Sequence, residues 1–452
     1  MWVTYNDGVY DITEFVESHP GGKKILLAAG GQLEPFWNIY AVHKNEAIYE
    51  ILEAMRIGNV HPDDKQHYDV TAMDCPYASD PARHPAMFIN SLKPYDAETP
   101  QALLTENFLT PNELFYVRNH LPVPEIDVNE YALEVGHDTG KQALRLTMDD
   151  IKQKFPVHVI TATLQCAGNR RGHMAEVKSL KLKGSSGMTA ISNAEWTGVK
   201  LSDVLAHLGV TEDQYKHVIF VGHDKDIEGS HYEASIPIET AMDPKRDVLL
   251  AFQMNGVDLP RDHGYPLRLV VPGTIGARQV KWLKTIHVSN SESQGHWQQN
   301  DYKSFHPSVE WHTADLTQGH AIQDYPVQSA ICEPEAGTVL DDAEEVTVKG
   351  YAWSGGGRGI IRVEVSADGG RSWHQAQLRR VDQRLHRQWA WSLFEATVPL
   401  PEDHAHVELI CKAVDTSHNQ QPDNAHGIWN MMGLIHNAWH RVRVQMPATI
   451  ED

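Results

Sequence analysis

The 452-residue sequence is short of cysteine, short of positive charge and free of long apolar runs. Its four cysteines (Cys75, Cys166, Cys332 and Cys411) stand far apart with no Cys-x-x-Cys pair, which excludes a disulfide framework or a zinc ribbon. Lys and Arg number 39 against 60 Asp and Glu, a formal net charge of -21. Nucleic-acid binding needs a basic face, so nucleic acid is excluded as the main partner, whereas a cationic partner is favoured. No apolar run approaches the roughly 18 to 20 residues that span a bilayer, and Ile25–Ala29 and Leu267–Val271 are far too short. What is present is the composition of an ordinary soluble globular protein, 41% hydrophobic and 22% charged. At roughly 150 residues per domain the length suggests about three domains, and a soluble multidomain enzyme is the expectation.

Residues Met1–Val9 read at once as strand and turn, with no basic or apolar leader. The expectation is either a protein that stays where it is made or a chain lacking its natural start. Residues 1–60 form a compact block: a strand at Val9–Ile12, a helix begun at Asp11–Val16 with Thr13 as N-cap, and further helices at Lys23–Ala29 and Glu46–Met55. A block this small buries little surface and usually needs a cofactor or a staple. Residues 61–85 are polar and punctuated by proline, the pattern of a flexible linker. From 86 to 325 strands and helices mix: strands at Val157–Leu164 and Val218–Val221, a helix at Leu201–Leu208, and a hairpin at Leu249–Leu259 turning on Asn255-Gly256. Residues 326–452 read as strands alone, at Val346–Trp353, Ile360–Ser366, Trp389–Phe394 and Val407–Asp415, which predicts a β-sandwich. The glycine run Ser354–Gly359 lacks the Lys-Ser/Thr ending of a phosphate loop and reads as a turn.

Two histidines in the first block carry chemistry. His19 lies on a Pro-Gly-Gly turn and His43 follows the apolar run Phe36–Val42. Two imidazoles facing each other across an apolar crevice suit a six-coordinate haem iron used for electron transfer. The run Val9-Tyr10-Asp11-Ile12-Thr13-Glu14-Phe15 followed by His-Pro-Gly-Gly resembles cytochrome b5, which implies haem b held by His19 and His43.

In the central block Cys166 ends a strand and is followed by Ala-Gly-Asn-Arg170-Arg171. Neighbouring guanidinium charge is expected to lower the thiol pKa and favour the metal-binding thiolate. Around it stand Phe115-Tyr116-Val117-Arg118-Asn119-His120, Arg261-Asp262-His263-Gly264-Tyr265-Pro266-Leu267-Arg268, Gly273–Trp282, His296-Trp297 and Asp301-Tyr302-Lys303. These segments resemble the molybdenum-cofactor domain of the sulfite oxidase family, and the likeness covers essentially the whole chain. Haem block, molybdenum domain and immunoglobulin-like sandwich follow one another in the order of the animal members. The resemblance implies that Cys166 ligates molybdenum beside molybdopterin. Arg118 and Arg171 then line an oxyanion pocket with forked donors, and Tyr302 serves as the active-site tyrosine. It assigns cofactor contacts to Tyr116, Val117, Arg118, Asn119, His120, Asp224, His263, Arg268, Gln279, Val280 and Lys281. It further implies oxidation of sulfite by oxygen-atom transfer, electrons leaving through the haem to cytochrome c or a similar basic acceptor, a homodimer built on the sandwich, and the mitochondrial intermembrane space as compartment for an animal-like member.

Two positions depart from the family. Met432 stands where its sulfite oxidases carry a pocket arginine and its nitrate reductases a methionine. Lys183-Gly184-Ser185-Ser186-Gly187-Met188 offers no pocket tryptophan, the next being Trp196. A lost guanidinium removes one charge-assisted hydrogen bond of about 1.5–3 kcal/mol, so weaker sulfite binding is expected. An oxyanion reductase such as nitrate reductase is the alternative; a haem carrier with an inactive central domain is a third reading, opposed by Cys166, Arg118 and Tyr302.

Overall fold

A computed structural model describes residues 1–20, 25–26, 28–39, 43–61, 75–137, 143–180, 187–340, 344–401 and 405–446. In the first block, strands Trp2–Tyr5, Gly8–Asp11 and Arg56–Asn59 form an antiparallel sheet. Its first hairpin turns on Asn6-Asp7, with Asn6 in the left-handed region. Val3, Tyr10, Ile12, Leu33, Trp37 and Leu52 are buried beneath it. Helix Glu46–Glu53 is capped by Asn45, whose side chain accepts from the Ile48 N–H at 3.2 Å. The helix expected from Asp11 does not form. Asp11 accepts from both the N–H and the hydroxyl of Thr13, at 3.0 and 2.6 Å, and this local competition leaves residues 13–18 as successive turns. Of the helix expected at Lys23–Ala29, residues 23, 24 and 27 lie outside the described residues, and the remainder is a short 3-10 segment and turn.

The central block is built on two five-stranded sheets. One runs Val257–Asp258, Leu249–Met254, Ile191–Lys200, Val157–Gln165, with Arg268–Val270 added against Leu249–Met254. The other runs His231–Pro237, His217–Lys225, Leu283–Ser289, Ala132–His137, Leu144–Thr147. Only the pairing of Leu283–Ser289 with Ala132–His137 is parallel among these ladders. The hairpin at Asn255-Gly256 forms as expected, both residues having positive φ. A three-stranded sheet (Phe88–Leu92, Tyr95–Glu98, Val117–Arg118) brings Arg118 to the mouth of the cavity described below. Residues 62–74 of the expected linker lie outside the described residues. Its later part is packed on the central block: Asp80 accepts from the Val123 N–H at 3.1 Å and Arg83 pairs with Asp262 at 2.8 Å. These polar residues read as linker only because their partners lie far along the chain.

The last block is a sandwich of two four-stranded antiparallel sheets. Gln328–Glu333, Glu345–Trp353, Ser392–Pro399 and Gln377–Arg379 form one, and His374–Gln375, Ile360–Ser366, His406–Asp415 and His440–Gln445 the other. Val348, Val363, Val365, Val398, Leu409 and Val444 fill the space between them. The strand expected from Trp389 begins only at Ser392. The two tryptophans before it are drawn into the seam with the central block: Trp389 donates to Asp247 at 2.9 Å and Trp391 to the Phe108 carbonyl at 3.0 Å. Arg170 crosses the same seam, donating to the carbonyls of Ser329, Ala438 and Trp439. The run Ser354–Gly359 is a turn between strands, with Gly356 and Gly357 at positive φ.

Candidate active site and haem site

The cavity of the central block, with an empty volume of about 670 Å³ measured out to solvent, gathers residues from five distant stretches of chain. Cys166 lies at its wall, one residue beyond strand Val157–Gln165. Its N–H donates to the Ala190 carbonyl (2.9 Å), and its own carbonyl accepts from the Asn169 N–H (3.0 Å) and the Tyr325 hydroxyl (3.3 Å). Arg170, in the left-handed region, reverses the chain into helix Arg171–Val177. The two adjacent arginines therefore part company. Arg170 is spent on the seam, whereas Arg171 donates to the Gly433 carbonyl at 3.4 Å and stays close enough to act on Cys166 and Tyr302. The expected lowering of the thiol pKa is not found. Burial pushes the Cys166 thiol up and outweighs the opposing guanidinium charges of Arg118 and Arg171.

Arg118 donates to the Asn119 carbonyl at 2.6 Å and lies 3.5 Å from Asp96. Burial is the largest influence and works against its charge, but Asp96, Tyr302, Cys166 and Asp301 together outweigh it and hold the guanidinium above its ordinary range. Tyr302, at positive φ, is hydrogen-bonded through its hydroxyl to His120 Nε2. Arg278, fully buried, accounts for this backbone: it donates to the carbonyls of Tyr302, Ile322 and Trp297 and to the Gln298 side chain. Burial pushes the Tyr302 phenol up and, with Arg118 and Lys281, pushes His120 well below its ordinary value. The pair is therefore neutral at physiological pH.

Eleven of the expected residues line the cavity: Tyr116, Arg118, His120, Cys166, Asp224, His263, Arg268, Gln279, Val280, Lys281 and Tyr302. Val117, Asn119 and Arg171 do not. Val117 packs with Met87, Tyr95 and Ala97, and Asn119 stands behind the wall, bonded to Asp262 and Lys281. Burial lowers Lys281 to about 7, Arg268 to about 10 and His263 to about 3, and raises Asp224 to about 7. Cationic side chains thus crowd a desolvated space, while the buried Asp224 Oδ1 has no hydrogen-bond partner among the described residues. A ligand with anionic oxygens and a few N–H donors answers both, so these residues fit a phosphate-bearing pterin. Gly276 lets its own stretch pack tightly into the cavity wall: a Cβ there would meet the Gln165 carbonyl at 2.9 Å and the Tyr116 hydroxyl at 3.1 Å.

Sequence reasoning assigned no role to Phe115, Leu164, Ala167, Tyr232, Gly276, Ala277 and Trp282, which also line the cavity. Phe115 and Trp282 sit beside residues it chose, and that adjacency was a usable signal. Tyr232 lies on an alternating strand and looks like core. Met432 is 2% exposed and belongs to the apolar core rather than the cavity lining. Residues 183–186 lie outside the described residues. Trp196 is buried, with Arg268 over its ring at 4.9 Å.

In the first block the rings of His19 and His43 lie 6.2 Å apart between centroids with planes within 5° of parallel. Metal–imidazole bonds of about 2.0–2.1 Å, with about 1.1 Å more to each ring centre, place two centroids roughly 6.3 Å apart across one ion. The spacing leaves room for one metal ion between the rings, so His19 and His43 fit as the pair that would hold a haem iron.

Residues 1–61 match the cytochrome b5-like heme/steroid binding domain, residues 120–297 the oxidoreductase molybdopterin binding domain, and residues 319–447 the Mo-co oxidoreductase dimerisation domain. Mouse mitochondrial sulfite oxidase is 51% identical over 449 residues, covering 99% of this chain and 81% of that protein. Chicken sulfite oxidase is 51% identical over 98% of this chain and 95% of its own length. The chain belongs to the sulfite oxidase family. A bean nitrate reductase of that wider kinship is more distant, 36% identical over 78% of this chain and 41% of its own. The solved structure of the sulfane dehydrogenase SoxCD from Paracoccus pantotrophus shares the fold at 28% identity with TM-score 0.63, covering 82% of this chain and 87% of its own. Like its family, this chain carries a molybdopterin-binding domain and a haem-binding domain.

Proposed function

We propose that the protein oxidises sulfite to sulfate and passes the electrons through its haem to cytochrome c. One observation carries the reading: Cys166, Arg118 and the Tyr302–His120 pair line one cation-rich cavity in a chain that also brings two histidines to haem-ligand spacing. In the overall change sulfite gains one oxygen from water and releases two electrons and two protons. The molybdenum cofactor, when bound, supplies the oxygen-atom transfer and the two-electron step. Cys166 would hold the metal, and Asp224, His263, Arg268, Gln279 and Lys281 would hold the pterin and its phosphate. Arg118, with Arg171 behind it, attracts and orients the sulfite dianion. Tyr302 keeps its proton and offers it to an oxygen of substrate or product; His120 fixes that hydroxyl. Tyr302 is buried, which strengthens its hydrogen bond with His120.

Cytochrome c suits the role of acceptor because it is basic and the chain carries a net charge of -21. The dimerisation domain supports a homodimer. No helix among the described residues is long and apolar enough to cross a membrane, and the names of the mammalian relatives support a mitochondrial site of action. The nitrate reductase reading rests on Met432, but that side chain lies in the core, and the bean relative is far more distant than the sulfite oxidases. Turnover of sulfite in oxygen-18 water tests the proposal. Sulfate carrying one labelled oxygen, with cytochrome c reduced in step, is expected; absence of sulfite-dependent reduction in molybdenum-loaded protein overturns it.

A further inference from the structure

Lys281 faces a difficulty of its own making. Its ammonium lines the cavity, yet it also donates to the backbone carbonyl of Asp262 at 2.8 Å and to Asn119 Oδ1, so it lies beside a buried carboxylate. Asp262 is 6% exposed. After Arg83, Lys281 is the cation that acts most strongly on Asp262, so a carboxylate left unpaired would draw Lys281 as its counterion. A second cation prevents this. Arg83, 179 residues away in sequence, meets both carboxylate oxygens of Asp262, Nε to Oδ2 at 2.8 Å and Nη2 to Oδ1 at 2.9 Å. The fork is fixed from behind: its Nη2 also donates to Asp80 at 2.8 Å, and the guanidinium lies 3.9 Å above the Tyr95 ring. Asn119 closes the network, donating to Asp262 Oδ1 at 3.0 Å while accepting from Lys281.

We infer that Arg83 is a positioning residue for the cofactor: by neutralising Asp262 it leaves the Lys281 ammonium to an anionic oxygen of the bound group. The inference rests on the molybdenum-cofactor reading above. It also gives the segment between the first two blocks a role in the site, since Asp80 and Arg83 lie outside every sequence motif that marked the cavity. A bidentate Arg–carboxylate pair is geometrically demanding, so lysine at position 83 replaces the charge without replacing the fork.

The full-length protein is compared as wild type, Arg83→Lys, Arg83→Gln, Asp262→Asn and the double variant Arg83→Gln/Asp262→Asn. Molybdenum and released pterin per chain are followed during dialysis, with haem absorbance and thermal melting as controls on folding. Arg83→Gln is expected to lose molybdenum about tenfold faster than wild type, the size of one charge-assisted hydrogen bond. Arg83→Lys should fall between them. Removing the carboxylate removes the need for Arg83, so Asp262→Asn and the double variant should retain molybdenum within about threefold of wild type. A double variant as leaky as Arg83→Gln would show that Arg83 acts only through packing and overturns the inference, as does full retention by Arg83→Gln. Wild-type protein that holds no molybdenum overturns the cofactor reading and this inference together.

Discussion

Arg118→Gln should weaken sulfite binding without dismantling the site. Arg118 commits Nη1 to the Asn119 carbonyl and sets Nε beside Asp96, which leaves the hydrogens of Nη2 for an anion. Losing a charge-assisted hydrogen bond costs about 1.5–3 kcal/mol, and about 1.4 kcal/mol is tenfold in an equilibrium constant. The side chain is 32% exposed, so solvent screening favours the lower end, a rise in KM for sulfite of roughly tenfold to thirtyfold. Because the dianion is charged before and during reaction, most of the loss should appear in KM and less in kcat. Steady-state reduction of cytochrome c, run on protein normalised for molybdenum, measures both constants. Arg118→Lys should recover part of the loss, since it restores charge but not the planar fork. An unchanged KM in Arg118→Gln, with molybdenum intact, would refute the assignment of Arg118 to the anion.

Three further outcomes follow from the geometry. His43→Ala should abolish the haem absorbance and sulfite-dependent cytochrome c reduction, while an artificial oxidant that takes electrons at the molybdenum site still supports turnover; loss of both activities would break the separation of roles. Burial holds the Tyr302 phenol above its ordinary pKa, so kcat should show no tyrosine ionisation between about pH 8 and pH 10; a break there that disappears in Tyr302→Phe would contradict it. His436 and His440 are buried and His173 half-buried, and all three are held below the ordinary imidazole value, His173 at about 3 and His436 at about 2. The unfolded chain therefore binds more protons below pH 6.5. Stability is complete above that value and falls on acidification towards pH 3, by up to about 1.4 kcal/mol per pH unit for each histidine. The urea midpoint should drop between pH 7 and pH 5, less so in His436→Asn; an unchanged midpoint contradicts the burial argument.

Much of this molecule was legible from its residues where local patterns carry the outcome. The hairpin at Asn255-Gly256 and the sandwich strands Glu345–Trp353 and His406–Asp415 follow from alternation and turn chemistry. Cys166, Arg118, His120 and Tyr302 were recognisable because short motifs surround each. What stayed hidden depends on contacts between distant stretches. Thr13 reads as an N-cap until Asp11 is seen to hold it. Trp389 and Trp391 read as strand until the seam draws them away. The Cys166 thiol reads as activated by its neighbouring arginines, but Arg170 turns towards the sandwich and burial prevails. Arg83 reads as linker, and only the fold shows Asp262 beside it.

The most direct test of the account is anaerobic addition of sulfite to the oxidised protein, followed through the haem Soret and α bands. The account predicts prompt haem reduction, since sulfite must be oxidised at the cavity and its electrons must reach the iron between His19 and His43. An unreduced haem, in protein shown to contain both molybdenum and haem, would contradict it.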